Sequence, residues 1–183
     1  MGMIDVDALD DFKLDVGCGA HKNEDCVGMD IRPGAGVDVV HDANVTPWPF
    51  RDSSARIIIL SHSLEYLDPS RSVEIFNEMW RIMKPRGACM IATHYAGAFA
   101  AHRDPNVTRP GFNEDTPFFF DPTRRSDGGE YLYDDRYKPW QVAQVDYKLG
   151  AFLNFILKPL KQDDGEPLPY KVPAEGEAIG CGG

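Results

Sequence analysis

The sequence predicts an α/β fold built on a mostly parallel sheet and closed at its C-terminal side by an antiparallel hairpin. Three observations predict it: short apolar runs that stop at Gly, Asp or Ser-His, one amphipathic helical stretch before the fifth run, and two β-rich runs flanking Gly150. The 183 residues, 43% of them apolar, are enough for one packed core and too few for two large domains.

Strands are expected at Lys13-Leu14-Asp15-Val16, Cys26-Val27-Gly28-Met29, Val37-Asp38-Val39-Val40 and Ile57-Ile58-Ile59-Leu60. The last is apolar on both faces, as a strand covered on both sides must be. A helix opens at Asp68-Pro69, where aspartate caps and proline suits the first turn. Val73, Phe76, Met79, Trp80 and Met83 recur at three- and four-residue steps and read as its core face; Arg71, Glu74, Asn77, Glu78, Arg81 and Lys84 face away. The turn Lys84-Pro85-Arg86-Gly87 leads to a fifth strand, Ala88-Cys89-Met90-Ile91-Ala92. Residues 95–140 lose periodicity but hold many aromatic side chains, which favours an ordered, acceptor-side loop region. Gln141 to Tyr147 and Phe152 to Leu157 form the hairpin. The domain is thus expected over 1–160, with 161–183, rich in Gly, Pro and Glu, as a flexible tail.

The net charge of −10 argues against a protein that grips nucleic-acid phosphate, since that affinity comes chiefly from Lys and Arg. Basic side chains are concentrated partly in the acceptor-side loop, at Arg103, Arg109, Arg124 and Arg125, which leaves a local anionic substrate open. Cys18, Cys26, Cys89 and Cys181 form no C-x-x-C pair, so neither a zinc knuckle nor a disulfide framework is expected, and no metal is assigned. Thiols without a framework fit a cytoplasmic protein. No secretory signal and no membrane-length apolar run is present.

Chemistry concentrates at Leu14-Asp15-Val16-Gly17-Cys18-Gly19, a strand entering a G-x-G turn whose glycines let the backbone bend and approach a nucleotide-like ligand. Asp30 closes the second strand and Asp42 follows the third, so all three features lie at the carboxyl edge where open α/β sheets bind ligands. Asp30 is placed to accept ribose hydroxyls and Asp42 to meet an adenine amino group. A pyrophosphate cofactor wants G-x-G-x-x-G and a helix N-terminus. Here Ala20-His21-Lys22-Asn23-Glu24-Asp25 follows, with no third glycine and too few residues for a crossover helix. An adenosine ligand without phosphate, such as S-adenosylmethionine, fits what remains.

Together these pieces resemble the class I S-adenosylmethionine-dependent methyltransferases, in the small type-11-like form found in bacteria and phages. The resemblance runs from about Phe12 to Leu160. It continues through Val27-Gly28-Met29-Asp30-Ile31, His41-Asp42-Ala43, Pro47-Trp48-Pro49-Phe50, Ser61-His62-Ser63-Leu64-Glu65-Tyr66-Leu67, Arg81-Ile82-Met83-Lys84-Pro85-Arg86-Gly87, Asp104-Pro105 and Phe120-Asp121-Pro122. It implies a Rossmann-like sheet with the first crossover helix shortened to a loop. It also implies Gly17, Cys18 and Gly19 under the methionine moiety, Asp30 on the ribose, Asp42 and Ala43 near adenine, Ser61 and His62 beside the cofactor, and Ile31 as a further cofactor-binding residue. Tyr66 replaces the family's usual histidine, and Arg86-Gly87 replaces its Gly-Gly; both departures read as structural.

Asp15 reads as orienting either the glycine loop or the cofactor. Cys18 reads as a small loop residue, since nothing nearby depresses its thiol pKa. Past the fifth strand, His94 and His102 are the candidate general bases, being closest to neutrality in pKa. Tyr95, Arg103 and Arg109 are the candidate acceptor-binding residues. The expected reaction is in-line methyl transfer to an O or N atom of a small-molecule or sugar-like acceptor, with monomer or homodimer as the assembly. The alternative is a non-catalytic protein that keeps the fold and cofactor. An NAD-dependent oxidoreductase lacks a Tyr-x-x-x-Lys pair, and an amino-methylase of nucleic-acid bases lacks the Asn/Asp-Pro-Pro-aromatic tetrad, where Ser61-His62-Ser63-Leu64 stands instead.

Overall fold

The computed structural model of the chain describes residues 4–108, 111–126 and 128–172. Its strands are β1 (Phe12–Val16), β2 (Cys26–Asp30), β3 (Val39–Val40), β4 (Ala55–Ser61), β5 (Met83–His94), β6 (Trp140–Lys148) and β7 (Phe152–Pro159). They form one sheet in the order β3-β2-β1-β4-β5-β7-β6. The first five strands pair in parallel, and β7 lies antiparallel between β5 and β6. The helices among the described residues are α1 (Ser72–Ile82) and the short α2 (Ala100–Arg103). None is long and apolar enough to cross a membrane.

The core sits between one face of the sheet and α1. Leu14, Ile58, Leu60, Cys89, Leu153 and Leu157 are fully buried there with Ile75, Met79 and Ile82 of the helix. Burying one such aliphatic side chain contributes roughly 1.5–3 kcal/mol. The acceptor-side segment completes this layer: Phe118 and Phe120, from the 3-10 turn Thr116–Phe120, are buried, and Phe120 stacks on Phe76 at 4.1 Å between centroids. Arg124 belongs to the same wall, donating to the Val142 carbonyl at 3.0 Å over the Phe118 ring, so its role there is packing.

Several expectations are corrected. Glu78 does not face away: it is buried, accepts from the Trp48 amide at 2.6 Å and pairs with Arg81, tying α1 to the loop before β4. The α-helix proper begins at Ser72, because Pro69–Arg71 is a 3-10 turn capped by the Asp68 carboxylate on the Ser70 amide. Strand β3 shrinks to two residues: the Asp38 carboxylate turns inward to accept from the Gly28 amide and from Lys22. Fourth, the stretch after Pro159 is not a tail throughout. It folds back with Leu160 donating to Pro139 and Leu168 to Leu160, and Lys161 is buried. The Lys161 ammonium donates to the carbonyls of Trp80, Arg81 and Met83 at 2.9–3.2 Å, closing the C-terminal end of α1, and it lies over the Trp80 ring. Burial pulls its pKa down to about 8. Residues 173–183 lie outside the described residues.

The expected Lys84-Pro85-Arg86-Gly87 turn is a bulge inside β5: Met83 pairs with Ala55, and Ala88 with Ile57. Arg86 there has φ of 65°, a conformation glycine adopts without cost, which accounts for the glycine in the family pattern at this place.

Candidate active site

A cleft of about 640 Å³ opens at the carboxyl edge of β1, β2 and β4, within the size range of small-molecule sites. Its walls include Gly17 and Gly19, Asp30 and Ile31, Asp42 to Asn44, His62 and Ser63, and Tyr66 with Asp104 and Asn106.

The turn after β1 is built from the glycines. Gly17 and Gly19 have φ of 69° and 55°, and a Cβ on Gly17 would stand 2.4 Å from the Ser63 Cβ. Ser63 is held by donating its hydroxyl to the Val16 carbonyl at 2.7 Å, so the two segments meet with no room for a side chain at 17. A Cβ on Gly19 would meet nothing within 4 Å. Asp30 reaches across from the end of β2, accepting from the Gly19 amide at 2.9 Å and the Arg32 amide at 3.0 Å. Ile31 is 59% exposed on the cleft wall, an apolar surface suited to a flat ring. The Asp42 carboxylate accepts from the backbone and side chain of Asn44, and the Ala43 carbonyl accepts from the buried Trp48 indole at 3.1 Å.

Asp15 and Cys18 act behind this wall. Asp15 is 2% exposed and accepts from both the backbone and the side-chain amide of Asn23, which pins the loop that replaces the first crossover helix. The Cys18 thiol packs toward the Gly36 carbonyl, 3.4 Å away, and burial with the nearby Asp15 and Asp30 carboxylates pushes its pKa up to about 11. A thiol held protonated in this way is not a nucleophile. Ser61 also departs from expectation. It lies on the rim of a separate trough with Met90 and Ile156, while Ser63, two residues on, takes the place in the cleft.

His62 lies on the cleft wall with φ of 53°, rare for a residue with a Cβ. Its Nδ1 is 3.1 Å from Oε1 of Glu65, which is fully buried. That hydrogen bond raises the His62 pKa above the ordinary histidine value against the effect of burial. Burial alone would push the Glu65 carboxyl up, but hydrogen bonds from His62 and from the His94 amide bring it below the usual carboxylate range.

The other acceptor-side candidates fall away from the cleft walls. His94 stands behind Glu65, its Nδ1 3.3 Å from Oε1, and His102 is exposed on α2; neither is part of the wall. The Tyr95 hydroxyl donates to Glu114, which raises its pKa to about 12, and its ring stacks on Tyr147. Arg103 is exposed beside Asp104, and Arg109 lies outside the described residues. That part of the cleft wall is made instead by Tyr66, Asp104 and Asn106. Tyr66 donates its hydroxyl to Asp104 at 2.9 Å, and Asp104 accepts from the Asn106 amide. Thr108 latches this loop down, its amide and hydroxyl donating to the Glu65 carbonyl and the hydroxyl also to Leu67. Sequence reasoning missed these residues as site groups, although Asp104-Pro105 and the departure at Tyr66 had both stood out.

A model of the methyltransferase-domain family matches residues 14–91, which carry the G-x-G turn, Asp30, Asp42 and the segment from Ser61 to Leu67. Residues 14–91 therefore carry a methyltransferase domain. Solved structures share the chain's fold. An S-adenosylmethionine-dependent methyltransferase from Archaeoglobus fulgidus is 17% identical, with 81% of this chain and 86% of that one aligned at a TM-score of 0.55. A protein from Pyrococcus horikoshii is also 17% identical, with 82% of each chain aligned at a TM-score of 0.53. A trans-methyltransferase, CalH, solved in complex with S-adenosylhomocysteine, is 12% identical, with 82% of this chain and 51% of that one aligned at 0.55. No curated protein matches the sequence. Binding of S-adenosylmethionine follows from the methyltransferase domain.

Proposed function

We propose that this methyltransferase holds S-adenosylmethionine in the cleft at the carboxyl edge of the sheet and passes its methyl group to an O or N atom of a small-molecule or sugar-like acceptor by in-line displacement. The observation that carries the reading is the meeting of Gly17, Gly19, Asp30, Ile31, Asp42 and Ala43 on the wall of one cleft. Asp30 takes the ribose hydroxyls, Ile31 lies against the adenine, and Asp42 with Ala43 meets its polar edge. The methionine moiety runs over Gly17 and Gly19 toward His62.

The chain's own part in the reaction is alignment. An in-line displacement needs the acceptor atom about 3–3.5 Å from the methyl carbon and water kept out. Tyr66, Asp104 and Asn106, latched by Thr108, form the wall from which an acceptor is held. Their hydroxyl, carboxylate and amide groups suit hydroxyls or amines, and no phosphate-sized basic cradle stands among them. His94 and His102, the bases expected from sequence, are not on this wall.

Titration calorimetry tests the reading. S-adenosylmethionine and S-adenosylhomocysteine are expected to bind, with Asp30→Ala weakening both at least tenfold; binding of NAD without either overturns it. Mass-spectrometric detection of S-adenosylhomocysteine with a panel of hydroxylated and amino acceptors tests the transfer. Tight cofactor binding with no turnover on any acceptor favours a non-catalytic binding protein instead.

A further inference from the structure

We infer that His62, Glu65 and His94 form a divalent-metal site behind the acceptor wall. The three residues come from different places in the chain: the turn after β4, the 3-10 segment Leu64–Tyr66 and the end of β5. Their ligand atoms nevertheless converge. The Nδ1 atoms of His62 and His94 lie 3.1 and 3.3 Å from Glu65 Oε1, and one ligand atom from each of the three residues lies within 4.8 Å of the other two. Two ligands each about 2.1 Å from a tetrahedral ion are about 3.4 Å apart, so the two measured edges are already those of a coordination polyhedron. The third edge closes by rotation of the His62 ring, whose side chain is 50% exposed.

Hydrogen bonding alone leaves the cluster incomplete. The His62–Glu65 contact accounts for one carboxylate oxygen, but Glu65 Oε2 and His94 Nδ1 are buried with no hydrogen-bond partner among the described residues. Two such orphans on a fully buried carboxylate and an imidazole only 19% exposed carry a desolvation cost that nothing in the cluster offsets. A cation bound by both imidazoles and the carboxylate removes it. The donor set decides the kind of ion: two imidazoles and one carboxylate suit Zn²⁺ and its first-row neighbours, not Mg²⁺ or Ca²⁺. Three protein ligands with the remaining position open is the pattern of a reactive site and not of a structural one. The accessible side of the cluster is His62, which is also cleft wall. The open position therefore takes an oxygen of the acceptor; this last step rests on the proposed reading of the cleft, whereas metal uptake does not.

Equilibrium dialysis of the tag-free protein against Zn²⁺, followed by elemental analysis, is expected to give one ion per chain. Co²⁺ in its place is expected to give the visible absorption of a four- or five-coordinate N/O site. His62→Asn, at a half-exposed position, leaves the circular dichroism spectrum unchanged and weakens uptake at least tenfold; His94→Asn and Glu65→Gln do the same where they fold. His21→Asn, at an exposed loop position, changes nothing. No stoichiometric uptake at tens of micromolar Zn²⁺, or uptake that survives His62→Asn, overturns the site. Cofactor calorimetry on the same metal-free samples keeps the two readings separate: cofactor binding without metal uptake overturns only the metal site.

Discussion

The two faces of the sheet are built differently. On one, α1 and the aromatic 116–120 segment bury Leu14, Ile58, Leu60, Cys89, Ile91, Phe155 and Leu157 almost completely. On the other, the loop following Gly17 covers only the β1–β2 side, through Asp15 and Asn23, and beyond it Ile59, Met90 and Ile156 line an open trough with Ser61, Gln144 and Asn154. One face carries the stability and the other carries less cover than the apolar strand Ile57–Leu60 alone suggests. The cleft lies at the edge where both meet. Its Tyr66–Asp104 wall is latched by Thr108, while its glycine turn leads into the thinly covered loop. A sheet can lose a crossover helix and keep its ligand edge, provided a buried carboxylate takes over the fastening.

Four measurements sharpen or break that contrast. The largest effect is expected on the packed face: Phe76→Ala removes a ring that is 1% exposed and stacked on Phe120, and loses about 3–5 kcal/mol in denaturant unfolding. A loss under about 1 kcal/mol breaks the claim that this face holds the fold.

Next comes a pH effect at Lys161. Its folded pKa, about 8, lies below the ordinary lysine value of 10.5. Between those values the unfolded chain holds a proton that the folded chain has released, so stability rises with pH across this window, by up to about 3 kcal/mol. Unfolding at pH 7.5 and 10 in the wild type and in Lys161→Met checks it. The rise specific to the wild type disappears in the variant, and equal slopes in both overturn the assignment.

On the thinly covered face, Asp15→Ala unfastens the loop at Asn23 and costs about 1–3 kcal/mol, with a parallel loss of cofactor affinity by calorimetry. Unchanged affinity separates the loop from the cofactor turn. Smallest of all, Met90→Ser, at 43% exposure on the open trough, shifts stability by no more than about 0.5 kcal/mol. A larger loss shows that something covers this face in solution.

Much of the fold was legible because strand and helix periods are strong signals. Cys26–Asp30 and Ala55–Ser61 appear within a residue or two of their apolar runs, and Phe76 and Met79 face the sheet as their spacing demands. What escaped were polar side chains that act at long range. Glu78 looks like a solvent residue on a helical wheel, yet it is satisfied by Trp48, thirty positions away. Asp38 shortens a strand by bonding to Gly28. In the cleft, Gly17, Gly19, Asp30 and Asp42 lie at strand ends, which sequence marks well. The opposite wall was not legible, because which of Tyr66, Tyr95, His94, His102 and Asp104 reaches it depends on how an aperiodic loop folds back on Glu65 and Leu67.

Lys161 also fixes an order of events during synthesis. The last turn of α1 is made long before its cap: Lys161 lies 81 positions after Trp80, whose carbonyl it satisfies. A nascent chain that has already laid down β1 to β5 can hold the Arg81 and Ile82 carbonyls through the Ser53 and Ser54 amides. The Trp80 carbonyl gains its lysine partner only when β6, β7 and the segment that turns back from Pro159 have emerged. Fragments ending before this lysine, however complete their cleft, are expected to fray at α1 first, and a protease acting during translation finds them there.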